Sequence, residues 1–138
     1  MKEKVKSDQL KELVPSVKLC KKIPEGSFTD SVFEWYVPSA TMKKTWGEQE
    51  SVIIRHYAAA SGLERNCPAP TLREIMDQLT RMDLCPELRA IVTVKGEFIY
   101  TLRTGLETFC QQKDESVEDI VLRAWFYFQK ERETWEEK

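Results

Sequence analysis

The chain has one histidine, four cysteines with no Cys-x-x-Cys pair, and no apolar run near the ~20 residues needed to cross a bilayer. Each shortage closes off a class of function. Cys20, Cys67, Cys85 and Cys110 are too widely spaced to supply the close ligand pairs of a structural zinc site, so no metal is expected. They read as buried, free thiols of a reducing compartment. His56 lies among Ile54, Arg55 and Tyr57, and the sequence places no nucleophile or carboxylate to work with it, so it reads as a structural or surface residue. The glycine-rich dinucleotide and phosphate loops, Gly-x-Ser-x-Gly, His-Glu-x-x-His and the calcium loop are all missing. No cofactor is expected, no catalytic residue is assigned, and a small enzyme is the minority reading. Cys67 would become reactive if the dipole of a helix starting at Thr71 lowered its pKa, but nothing else in the sequence backs that role.

What is present is the composition of an ordinary folded protein, with 41% hydrophobic and 32% charged residues over a length of 138 that favours one domain, residues 1–138. The charged opening Met1–Ser7 is followed by no apolar segment, so no secretory signal is expected, the default compartment is the cytoplasm, and residues 1–7 are expected to fray. A net charge of −2 argues against a surface devoted to nucleic acid. The clusters Lys18, Lys21, Lys22 and Lys43, Lys44 read as solvated faces.

The longest apolar-periodic run is Ser116–Phe128, which predicts the central helix. Ser116 followed by Asp119 forms a near capping box, and Val117, Ile120, Val121, Ala124, Trp125 and Phe128 share one face. Earlier, Val17, Leu19, Cys20 and Ile23 predict a short helix that lids a sheet, with its lysines outward. Asp30–Val37 reads as a strand whose core face carries Phe33, Trp35 and Val37. Thr41–Trp46 fits a short edge strand or a loop, and Ser51–Ala60 fits strand or helix, with strand favoured through Tyr57. Thr71-Leu72-Arg73-Glu74 is a capping box that opens a helix with Leu72, Ile75, Met76 and Leu79 inward. Leu88–Val94 and Phe98–Leu102 flank Lys95-Gly96-Glu97 as a hairpin. Its aromatics Phe98 and Tyr100 read as core, with base stacking as the functional alternative. Gly105–Cys110 shows no period. The predicted core includes Phe33, Trp35, Leu72, Ile75, Leu79, Ile91, Val121, Ala124, Trp125 and Phe128.

Three segments together resemble something known: Leu13–Lys22 followed by Phe33-Glu34-Trp35-Tyr36, then Cys67-Pro68-Ala69-Pro70-Thr71-Leu72, then the Glu-Ser-x-Glu-Asp helix reaching Ala124-Trp125. They look like small uncharacterised proteins of gut bacteria and their phages or mobile elements. The resemblance implies a stable fold and a mobile-element origin, with no activity and no functional residue to carry over.

Helices separated by locally paired strands, without repeated strand-helix-strand units, predict an α+β fold: a small antiparallel sheet with helices packed mainly on one face. Leu122 and Phe126 lie one turn apart on the predicted central helix, about 140° to 180° round from Val117. A helix that buries a single stripe would leave them wet, so they form the candidate interaction surface. The expected function is a non-catalytic protein-interaction module with an unknown protein partner or a weak homodimer. The alternative is a nucleic-acid accessory protein, and no membrane association is expected.

Overall fold

In the computed structural model, residues 9–47, 49–54 and 66–136 are described, with side chains up to residue 132. The fold class is α+β, and the strands among the described residues form two antiparallel three-stranded sheets. The chain falls into two units, Met1–Thr71 and Leu72–Lys138. No helix among the described residues is long and apolar enough to cross a membrane.

The first unit is built on β1 (Phe33–Tyr36), the middle strand between β2 (Ser51–Ile54) and β3 (Cys67–Pro68). Trp35 pairs with Val52 on one side and Cys67 on the other. Its indole Nε1 donates to the Pro15 carbonyl at 3.0 Å, which fixes the segment before α1 (Val17–Cys20) beside the sheet. Cys20 and Ile23 are buried while Lys18, Lys21 and Lys22 stay exposed, as the amphipathic pattern predicts. Glu34, expected to face outward, is buried instead. Its Oε1 accepts from Asn66 Nδ2 at 3.0 Å, and the same amide accepts from the Val37 N–H at 3.2 Å, so the polar pair is satisfied internally.

Thr41–Trp46 is neither strand nor loop but most of α2 (Ala40–Trp46). Ser39 Oγ accepts from the Met42 N–H at 3.2 Å, and Gly47 ends the helix at φ +65°, a left-handed conformation that glycine adopts without side-chain strain. No residue of α2 is buried, which leaves no apolar stripe for periodicity to detect. Trp46, at its end, is 75% exposed. The strand favoured from Ser51 through Tyr57 is seen for Ser51–Ile54, and residues 55–60, His56 among them, lie outside the described residues.

The second unit begins with α3 (Leu72–Arg81), whose Ile75 and Leu79 are fully buried. The hairpin follows as β4 (Glu87–Val92) and β5 (Phe98–Thr104), in a register that sets Val92 opposite Phe98 and Leu88 opposite Leu102. The Gly96 N–H donates to the Thr93 carbonyl and the Thr93 N–H to the Glu97 carbonyl, both at 2.8 Å. With Gly96 at φ +82°, this is a three-residue hairpin loop closed by a left-handed glycine. The aperiodic segment Gly105–Cys110 contains a third strand, β6 (Glu107–Cys110), reached through the two-residue turn Gly105-Leu106. The central helix is α4 (Val117–Glu136), longer at its C-terminus than the apolar run. Its capping box is formed, with the Asp119 N–H donating to Ser116 Oγ at 3.1 Å and the Ser116 N–H reaching Asp119 Oδ2 at 3.5 Å.

Ile120, Val121, Ala124 and Trp125 are buried as expected, with Phe33, Leu72 and Phe128 half-buried. Ile91 is not core. It lies on the open side of β4, because alternation from Leu88 carries it to the sheet face turned away from α4.

Candidate interaction surface

Cross-strand partners in the second sheet stand on the same face, which sorts its side chains into two rows. One row runs Glu87, Arg89, Ile91, Ile99, Arg103 and Thr108 and is largely polar. The other runs Val92 and Phe98, then Ala90 and Tyr100, then Leu88, Leu102 and Phe109, then Thr104. Helix α4 covers this second row only at its inner end, where Leu102, Thr104 and Phe109 are buried.

The cover is fastened there by specific contacts. Phe109 meets the rings of Tyr127 and Phe128 edge-on at 5.6 and 6.1 Å, and the Arg123 guanidinium lies over Phe109 at 5.8 Å from its centroid. Arg123 also grips Glu115 through two hydrogen bonds, Nε to Oε2 at 2.9 Å and Nη2 to Oε1 at 3.0 Å, and donates to the Cys110 carbonyl at 2.8 Å. The Tyr127 hydroxyl donates to Glu107 Oε1 at 3.3 Å. These contacts lie along β6 and the loop after it, so the helix is anchored to one end of the row.

Past that anchor the same face is open. Val92 is 59% exposed, Phe98 75% and Tyr100 39%, with Ala90 exposed between them. Phe98 and Tyr100 are therefore not core, as alternation alone predicts, but part of a continuous apolar strip on the paired strands of the hairpin. Val94 in the hairpin turn is fully exposed. The signal available in the sequence was that Ile91-Val92 and Phe98-Ile99 are apolar on both faces of the hairpin tip. One covering helix cannot bury both.

The surface predicted from Leu122 and Phe126 is not where the sequence places it. Leu122 has 0% exposure and offers nothing to a partner, while Phe126 is half-buried and packs edge-on against Trp125 at 5.3 Å. The physical reason is that α4 packs against α3 as well as against β5 and β6. Its burial spans two sides rather than one stripe.

Elsewhere the described residues hold little that could do chemistry. In the first unit a cavity of about 600 Å³ is lined by Lys21, Ile23, Val37, Asn66, Cys67 and Pro68 among others. Burial pushes the Cys67 thiol up to about 11, outweighing the lowering effect of the Lys21 charge, so the group is protonated and unreactive at neutral pH. Lys21 is engaged by Glu50 at 3.1 Å. At the start of α4 the Glu118 carboxyl is raised, first by burial and then by the neighbouring Asp119 charge. Among the described residues no group of His, Cys, Asp and Glu side chains gathers to hold a metal ion.

No protein-family profile, curated protein or solved structure matches this chain.

Proposed function

We propose that this chain is a non-catalytic protein-interaction module, of the small mobile-element kind its sequence segments resemble, and that it docks through the open face of the β4–β5 hairpin. The observation that carries this reading is the strip Val92, Phe98, Tyr100 and Ala90, exposed on the same sheet face whose other half is core. An apolar strip held on paired strands has little ordering entropy left to lose on binding, and exposed aromatics are the residue type that dominates protein interfaces. Phe98 and Tyr100 would also stack bases, but Glu87, Glu97 and Glu107 balance Arg89, Lys95 and Arg103 on this sheet and leave no positive field to hold phosphates.

The test is a photoreactive phenylalanine analogue at position 98, irradiated in cell extract, alongside titration of single-stranded and duplex oligonucleotides at low salt. Protein adducts that disappear when Tyr100→Asp is added support the reading. Adducts to nucleic acid only, or salt-sensitive oligonucleotide binding lost in Phe98→Asp, would transfer the surface to the nucleic-acid class.

A further inference from the structure

The outer strand of the second sheet, β4, pairs with β5 on one side and with no other strand among the described residues. Its hydrogen-bonding phase can be read from the ends of the sheet. Thr93 donates to Glu97, and the Gln111 N–H donates to the Tyr100 carbonyl at 2.9 Å, so Tyr100 spends its backbone groups on the β6 side. In an antiparallel ladder the hydrogen-bonded and open pairs alternate. Glu87, Arg89 and Ile91 therefore bond to β5, and Leu88, Ala90 and Val92 turn their N–H and C=O groups outward. These three residues also belong to the apolar row that α4 leaves partly open.

We propose that two copies of this chain associate through β4, antiparallel and centred on Ala90, joining two three-stranded sheets into one of six strands across a two-fold axis. The inference rests on the interaction reading above and deepens it: the β4 edge joins two copies, and the apolar strips of both stay open side by side on the joined sheet.

A two-fold axis normal to the sheet keeps the apolar rows of both copies on one face and sets outward-facing residues opposite each other. Centred on Ala90, Leu88 of one copy faces Val92 of the other and Ala90 faces Ala90, so all three outward residues bond in each copy. Centring on Leu88 brings in Pro86, which has no N–H to donate, and centring on Arg89 sets two arginines face to face. The Ala90 register instead sets each Arg89 opposite Ile91. Charge does not oppose the approach, because Arg89 is paired with Glu87 within its own strand at 2.6 Å and β4 is neutral. Proline and lysine, the usual guards of an open edge, are absent from Glu87–Val92. Joined this way, Val92, Ala90, Tyr100 and Phe98 of the two copies form one apolar surface. Pairing over six residues falls short of the roughly 1,200 Å² of a tight complex, so the dimer is weak.

The experiment is sedimentation velocity of the full chain from about 10 µM to about 1 mM, with amide hydrogen exchange at both ends of that range. Reversible dimerisation is expected, with the Leu88, Ala90 and Val92 amides gaining protection as concentration rises and those of β6 unchanged. Ala90→Pro removes an outward donor while leaving the β4–β5 ladder whole, and should weaken association about tenfold or more with an unchanged circular dichroism spectrum. A chain that stays monomeric at about 1 mM, concentration-independent exchange along β4, or an Ala90→Pro variant that dimerises like the parent overturns the proposal. Where the parent is monomeric and the photoreactive residue 98 still captures a different protein, the second copy is wrong and the interaction reading stands. Where it captures none, both fall.

Discussion

Cys67 shows how one residue's surroundings decide its chemistry. Its thiol is half-buried beside Glu34 and Glu50, and burial holds its pKa near 11 rather than the ordinary 9.0. The folded state therefore keeps a proton that the unfolded chain would release. Stability from this group is complete below pH 9 and falls as pH rises toward 11. The same shift predicts alkylation order. In the native protein at pH 8, iodoacetamide should label the exposed Cys85 and Cys110 well before Cys67 or the fully buried Cys20, read by peptide mass mapping over time. Early labelling at Cys67 would instead indicate a thiol activated by the dipole of the helix that follows Thr71.

At the level of elements, Leu122 carries the sharpest prediction. A fully buried leucine on a helix covered from two sides should cost about 2 to 5 kcal/mol on truncation to alanine, and Leu122→Glu should fail to fold rather than release a soluble monomer. Urea denaturation followed by circular dichroism measures the first and soluble yield the second. The sequence made α4, α3 and the β4–β5 hairpin legible because their signals are local: Ser116 with Asp119, a 3.6-residue period, and Gly96 between two β-rich runs. Helix α2 was hidden because it buries nothing, leaving only its caps, Ser39 and Gly47, as evidence. Strand β6 was hidden because four residues show too little alternation, although Gly105 at the first position of its turn was a usable sign. The surface was misplaced for a different reason. Periodicity tells which side chains share a face, whereas exposure depends on how many layers cover that face and how far each one reaches. Helix α4 gained a second layer from α3, and Phe98 lay beyond the reach of α4.

Across the whole molecule, two buried tryptophans mark the two units, Trp35 in the first and Trp125 in the second. The expectation of one domain over residues 1–138 implies a single thermal transition. Trp125→Ala removes a side chain whose truncation typically costs about 3 to 5 kcal/mol, a large part of a small protein's stability, and should nearly abolish that transition in a calorimetric scan. A transition surviving at the parent temperature would instead define the units as separate domains. Trp46 is the opposite kind of tryptophan, standing in water at the glycine-capped end of α2. Its indole should emit at long wavelength and be quenched by acrylamide, whereas Trp35, buried and with its N–H held by Pro15, should be shielded from collision. The native chain thus carries an intrinsic optical label, and a variant with Trp46→Phe and Trp135→Phe leaves only the buried Trp35 and Trp125 as a dye-free reporter of unfolding.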